Sequence, residues 1–244
     1  MKFTRDWLQN YVDLGDLPPE QLADDLTMVG LEVDSVTELY EDLSDLRTGR
    51  VLTVEPHPNA DKLTLCTVLV GQESLQIVCG APNVREGLGV VVALPGTVLP
   101  GDFKIKKSKV RGVESHGMLC SERELGLSEE HQGIMELDEE VEPGISFIEA
   151  TGLKDIQIEV DLTPNRPDCA SVIGVARETA GILRKNISVP YKNTELAASS
   201  TSFAVEVENP ELCPRYAARL IKGITIGPSP WWLRKRLLSV GLRP

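Results

Sequence analysis

Hydrophobic and polar positions divide the 244-residue chain into three regimes. In the first, a helical pattern runs from Asp6 to Val12, Pro18-Pro19-Glu20 opens a second helix that Gly30 ends, and LEVDSV alternates as a strand. Much later DIQIEVDL alternates in the same way. A helix capped by Asp168 is then predicted to run through Lys185, with Val172, Ile173, Ala176, Ala180 and Leu183 on one side. Each flank is about 40 residues or fewer, a size that rarely buries enough surface to fold alone. Paired, residues 1–39 and 151–195 predict one small two-layer α/β domain.

Between the flanks the period changes. Residues 40–150 carry short β-rich runs, RVLTVEP, LTLCTVLV, LQIVCG, GVVVALP and KIKKSKV, separated by Pro, Gly and Asn turns. Five short strands with one small helix predict an OB-type β-barrel inserted into a loop of the smaller domain, an α+β architecture. Three domains strung in sequence are the alternative. The short helix is placed at CSERELG, where Ser121 and Glu124 form an S-x-x-E capping box and Gly126 supplies a stop. Beyond residue 200, SFAVEVEN and RLIKGITI read as strands, and Ser229-Pro230 opens a helix over WWLRKRLLSV closed by Gly241. Residues 200–244 thus look like the start of a further α/β domain, from which a longer natural chain is expected.

Composition narrows the class. No run of 18 apolar residues and no basic-then-apolar leader occurs, so neither a membrane span nor secretion is predicted. The five cysteines, at 66, 79, 120, 169 and 213, include no C-x-x-C pair, which fits reduced thiols in a cytoplasm. With 25 Lys+Arg against 37 Asp+Glu the net charge is −12, arguing against nonspecific coating of nucleic acid. The charges are segregated, however. Residues 104–111, KIKKSKVR, hold five cations and no acid, whereas residues 122–142 hold nine acids and one basic residue, Arg123. A polyanion would meet one face only.

Several residues are candidates for chemistry. Lys104, Lys106, Lys109 and Arg111 recur along a predicted strand, either lining a phosphate-binding groove or protecting a solvated edge. The only aromatics nearby, Tyr40, Phe103 and Phe147, are too few to stack successive bases, which favours shape and backbone recognition of folded RNA. HPNADKL forms a turn presenting Asp61 and Lys62, and His57 has no companion ligand to make a metal site. Cys66 and Cys79 read as packed thiols. Cys120 lies before a helix start with His116 four residues away; packing explains it better than nucleophilic catalysis. TPNRPDC holds Arg166 at a rigid turn, for a salt bridge or for a subunit or RNA surface. No catalytic residue, metal ligand or phosphate-cradling loop is predicted.

HPNADKL, IVCGAPNV, VVALPG and IKKSKVRGVESHGMLCSERELG together resemble the tRNA-binding domain shared by several aminoacyl-tRNA synthetases and free-standing tRNA-binding proteins. MKFTRDWLQNYVD, DLTPNRPDCASVIGVARE and CPRYAARLIKGITIGPSPWWLRKRLLSVGLRP resemble the bacterial phenylalanyl-tRNA synthetase β subunit. This resemblance implies tRNA(Phe) as ligand, a heterotetramer of two α and two β subunits, and ATP- and Mg2+-dependent chemistry in the α subunit, with no cofactor here. It implies a tRNA-binding motif at Asn59, Lys62, Lys109, Arg111, Ser115, Gly117 and Met118, beside Lys106, and makes residues 200–244 the opening of a B3/B4-type editing domain. A free-standing tRNA-binding or RNA-chaperone module is the alternative, and it leaves both flanks unexplained.

Overall fold

A computed structural model describes residues 1–138, 140–190 and 203–244. The expected boundaries near residues 195 and 200 lie outside the described residues. In chain order the amino-terminal part comprises β1 (Lys2–Thr4), α1 (Arg5–Gln9), α2 (Pro19–Met28) and β2 (Glu32–Glu38). Four longer strands follow, β3 (Arg47–Pro56), β4 (Thr64–Val70), β5 (Glu73–Cys79) and β6 (Gly89–Ala93). Short ones succeed them: β7 (Val98–Leu99), β8 (Phe103–Lys104), β9 (Ser108–Val110), β10 (Val113–Ser115), β11 (Met118–Leu119) and β12 (Glu136–Leu137). Helix α3 (Phe147–Ala150), strand β13 (Ile156–Asp161) and helices α4 (Val172–Leu183) and α5 (Trp231–Ser239) complete the order.

The smaller sheet has the order β1-β13-β2, antiparallel throughout. Local chemistry sets its helices. The Thr4 hydroxyl accepts from Trp7 N at 3.3 Å to cap α1, and Pro19, whose ring fixes φ, occupies the first turn of α2. Gly30, at φ +89°, ends α2 in a conformation that favours glycine. Ile158 and Val160 of β13 bury with Phe3, Leu8, Leu22 and Leu26 from one flank and Val175, Ala176 and Ala180 from the other. Each large apolar side chain so buried contributes roughly 1.5–3 kcal/mol. A methyl group at Gly174 would lie 1.8 Å from the Asp168 carbonyl oxygen, so α4 packs on the preceding turn only because that residue lacks a side chain.

The larger sheet is a curled antiparallel one of order β11-β6-β3-β4-β5, with β12 also on β6. Its curl comes from β3, which pairs with β6 over Arg47–Arg50 and with β4 over Arg50–Pro56, the register shifting between Val51 and Thr53. A Cβ at Gly49 would meet Val92 Cγ2 at 2.7 Å, so the crossing requires glycine. All five residues of β6 are buried. Val91 and Ala93 pack on one side with Leu46, Leu125 and Phe147, while Val90 and Val92 pack on the other with Val51, Val68 and Ile77. The outer edge of β5 is bridged to residues 114–116: His116 N donates to the Gln76 carbonyl at 2.8 Å, and Val78 N to Ser115 Oγ at 3.1 Å.

Four sequence expectations are corrected. KIKKSKV is not one strand, because Ile105 turns inward to the core and divides it into β8, paired with β7, and β9, paired with β10; neither adds a rung to the large sheet. The Ser121–Glu124 box forms, with Ser121 N donating to Glu124 Oε2 at 2.6 Å, yet it closes a turn, and the short helix stands instead at Phe147–Ala150. Ser171, not Asp168, caps α4 by accepting from Gly174 N at 3.2 Å, since Asp168 is engaged by Arg166. SFAVEVEN and RLIKGITI form no strand among the described residues. Alternation makes a strand only beside a hydrogen-bonding neighbour, and Phe203, Ile224 and Ile226 are exposed.

Helix α5 docks where the two sheets meet. Trp231 Nε1 donates to the Thr151 carbonyl at 2.8 Å, Arg234 pairs with Glu122 at 2.5 Å, and Arg236 lies over the rings of Trp7 and Trp232. Because Ile158 is fully buried at the centre of the smaller core, Ile158→Ala is expected to cost about 2–5 kcal/mol, read from urea denaturation midpoints.

Candidate nucleic-acid interface

The basic stretch is built around a hairpin. Strands β9 and β10 pair Val110 with Val113, leaving Arg111 and Gly112 as a two-residue turn at φ +48° and +92°. That is the type I′ geometry whose twist matches antiparallel strands, and it needs positive φ at both central positions. Lys107 and Lys109 flank Glu114 at 3.3 and 4.0 Å, with His116 at 3.5 Å. Lys107 holds the Glu114 carboxyl below the usual carboxylate range. Lys62, Lys104, Lys106 and Arg111 are exposed and have no ion pair among the described residues.

The turn beginning at His57 is fastened to this hairpin. His57 is buried, its Nδ1 accepts from Asn59 N at 3.1 Å, and its Nε2 lies 3.1 Å from the Val110 carbonyl. Asn59 Nδ2 donates to the Arg111 carbonyl at 3.0 Å. Lys62 therefore shares one connected surface region with Lys109 and Arg111. Ser115, Gly117 and Met118 sit differently: the Ser115 hydroxyl is buried and donates to the Gly117 carbonyl at 2.9 Å, a Cβ at Gly117 would meet Ala93 O at 2.8 Å, and Met118 pairs with Ala93 and packs into the core. These three shape the hairpin's base, while the cations face solvent.

The region just described lies within residues 46–146, which match the tRNA_bind family, a tRNA binding domain. A phenylalanine–tRNA ligase β subunit from Desulfotalea psychrophila is 64% identical over 244 residues, covering 100% of this chain and 30% of that protein. One from Syntrophotalea carbinolica is 51% identical over 245 residues with the same coverages. Over its whole length this chain is similar to these phenylalanine–tRNA ligase β subunits. It spans about 30% of the length of those relatives. Among solved structures, a MetRS related protein from Pyrococcus horikoshii aligns with 41% of this chain and 86% of its own at 26% identity, with a TM-score of 0.32, too low to carry weight for the fold.

Other candidate groups have structural partners. Arg166 does not project outward. Its guanidinium folds back to Asp168 at 2.9 Å, Glu178 at 3.1 Å and Cys169 Sγ at 3.0 Å, with 19% of the side chain exposed. The grouping of Asp168, Cys169 and Glu178, whose ligand atoms could surround an ion, is thus already bridged by a cation. Cys120 is fully buried, and burial pushes its thiol up to about 12, so it is no nucleophile. Cys66 and Cys79 are likewise buried, with Cys66 Sγ 3.7 Å from Thr64 Oγ1 and Cys79 Sγ accepting from Ala81 N at 3.4 Å. No helix is long and apolar enough to cross a membrane among the described residues. Sequence reasoning missed the role of His57, whose only signal is its place two residues before Asn59 in a proline-fixed turn.

Arg166 holds the Asp168 carboxyl down to about 2, from an ordinary value of 3.8. A carboxyl whose folded value is depressed adds stability above its unfolded value and loses that contribution as pH falls through the folded one. The stability difference between wild type and Asp168→Asn, followed by urea denaturation, is expected to be full at about pH 6 and to shrink between about pH 4 and pH 2.

Proposed function

We propose that this chain is the non-catalytic, tRNA-binding and architectural portion of a cytoplasmic phenylalanine–tRNA ligase β subunit. In this reading it serves, with an α subunit in a heterotetramer of two α and two β chains, the ATP-dependent charging of tRNA(Phe). The observation that carries it is the cationic hairpin fastened to the His57–Leu63 turn, inside a matched tRNA-binding stretch and in a chain 64% identical throughout to a named β subunit. The ATP and Mg2+ of the holoenzyme belong to the α subunit. The residues here do not fit the metal, since Arg166 bridges the one grouping of potential metal ligands found among the described residues. A free-standing tRNA-binding module would leave the match across both flanks without a reason.

Phosphates of folded tRNA would approach Lys62, Lys106, Lys109 and Arg111, with Asn59, Ser115, Gly117 and Met118 setting the shape beneath them. On a chain of net charge −12, acidic surroundings oppose the approach, so binding is weak and strongly salt-dependent. Changing Lys106, Lys109 and Arg111 together to Glu is expected to reduce tRNA(Phe) affinity at least about tenfold at low salt and to flatten the slope of log affinity against log salt. Filter binding over a salt series measures both. Unchanged affinity would remove this surface from the tRNA contact.

The same reading divides the chain into a small α/β domain of residues 1–39 and 151–195, an inserted OB-fold domain of residues 40–150, and the opening of a B3/B4-type editing domain at 200–244. Its support is the separation of the cores: Phe3 to Leu31 cluster with Ile158 to Ala180, and Leu43 to Ile148 form clusters of their own, which Leu153 joins from just past the boundary. Replacing residues 42–148 with a short Gly/Ser linker is expected to leave a cooperative thermal transition. A featureless melt, with the excised segment folded by itself, would sink this division.

A further inference from the structure

We propose that His57 and Asn59 are positioning residues for tRNA binding, a hydrogen-bonded latch that holds the cationic hairpin in place. The inference rests on the tRNA-binding reading above and concerns how that surface is kept in order. It begins with donors and acceptors. The Val110 carbonyl can only accept, so the ring nitrogen 3.1 Å from it, Nε2, carries the hydrogen. The Asn59 backbone N–H can only donate, so Nδ1, 3.1 Å away, is bare. Both bonds are satisfied together by one species, the neutral Nε2–H tautomer. His57 is 5% exposed, so water cannot readily replace either partner.

The latch reaches the functional cations by a second link. Ring and backbone place Asn59, and the Asn59 amide donates to the Arg111 carbonyl at 3.0 Å. Arg111 is the turn residue that must stay at φ +48°, a region that a residue with a side chain adopts only when neighbours hold it there. Gly112 follows at φ +92°, and a Cβ there would sit 3.6 Å from Asn59 Nδ2. Two bonds to consecutive carbonyls, those of Val110 and Arg111, thus fix the end of β9 and the first turn residue. A short two-stranded hairpin has little stability of its own; β5 already holds residues 114–116 of its second arm, and the latch holds the first arm and the turn that carry Lys109 and Arg111.

The charged groups on the elements around the ring are Glu55 on β3, Asp61 and Lys62 on its own turn, and Lys109, Arg111 and Glu114 on the hairpin. None of them is ion-paired with the ring among the described residues.

The test uses the full chain with tRNA(Phe) transcript as probe and amide hydrogen exchange as a local readout. His57→Phe keeps an aromatic ring and removes both bonds. Amides of residues 108–115 are expected to exchange at least about tenfold faster, tRNA affinity to fall several-fold, and the salt slope to drop by about 1. His57→Gln, which can keep the donor toward Val110, is expected to recover part of the protection. Equal hairpin protection in wild type and His57→Phe would overturn the latch. Should His57→Phe fail to fold, the same exchange measurement on Asn59→Ala, which removes the bond to the Arg111 carbonyl, decides the same question. The Lys106, Lys109 and Arg111 reversal separates the two proposals: if it leaves tRNA affinity intact, the tRNA reading fails, while the exchange data still judge the latch.

Discussion

Strand β13 forms ladder hydrogen bonds on both edges, to β1 on one side and β2 on the other, and so joins residues that the curled sheet separates in sequence. Neither flank has a complete sheet without it. The amino-terminal part supplies two strands that do not pair with each other, and the later part supplies the strand that lies between them. Closing a loop of this length costs entropy that grows only slowly with the number of residues, because the cost is logarithmic. A large segment can therefore stand between β2 and β13 at modest expense, provided its own ends come close together. They do: Leu39 N donates to the Asp155 carbonyl at 2.9 Å, and Arg47 bridges to Ser146 beyond it.

That arrangement governs where the charge can go. The small sheet and α2 carry acids over their exposed positions, and the turn following β11 carries more. Cations able to meet a phosphate are placed on the far hairpin, where Glu114 is the acid that competes for them. Glu114 takes Lys107 most closely and Lys109 at the limit of pairing, leaving Lys62, Lys106 and Arg111 for an incoming anion. An acidic chain can hold a local anion-binding surface because screening confines each charge to about 8–10 Å at physiological salt.

Much of this was legible in the sequence, for physical reasons that differ by element. Helix α2 and strands β2, β4, β5 and β13 have strong periodicity and clear stops, and they form close to where the pattern puts them. KIKKSKV misled because alternation of lysines says nothing about whether Ile105 is drawn inward. SFAVEVEN misled because a period of two specifies a face and not a neighbour. Strand β1 was missed: three residues are too few to show a period. At the candidate surface the cations could be listed from composition, but not the latch, for His57 acts through a backbone carbonyl more than fifty positions away. Arg166 shows the reverse case, where the unremarkable salt-bridge reading is the observed one.

Strand β6 has a consequence for how this sequence can vary. Val91 and Val92 are adjacent in the chain, yet they belong to different packed interiors, one with Leu125 and Phe147, the other with Val68 and Ile77. A lineage that enlarges Val91 must make room across one face, and a lineage that enlarges Val92 must make room across the other. Compensating changes should consequently link residues far apart in sequence and skip the immediate neighbour. Two records of substitution, each nearly independent, are interleaved along the four consecutive residues Val90–Ala93, and Gly49 limits the one that runs through Val92 and Val68, since an added carbon there would meet both.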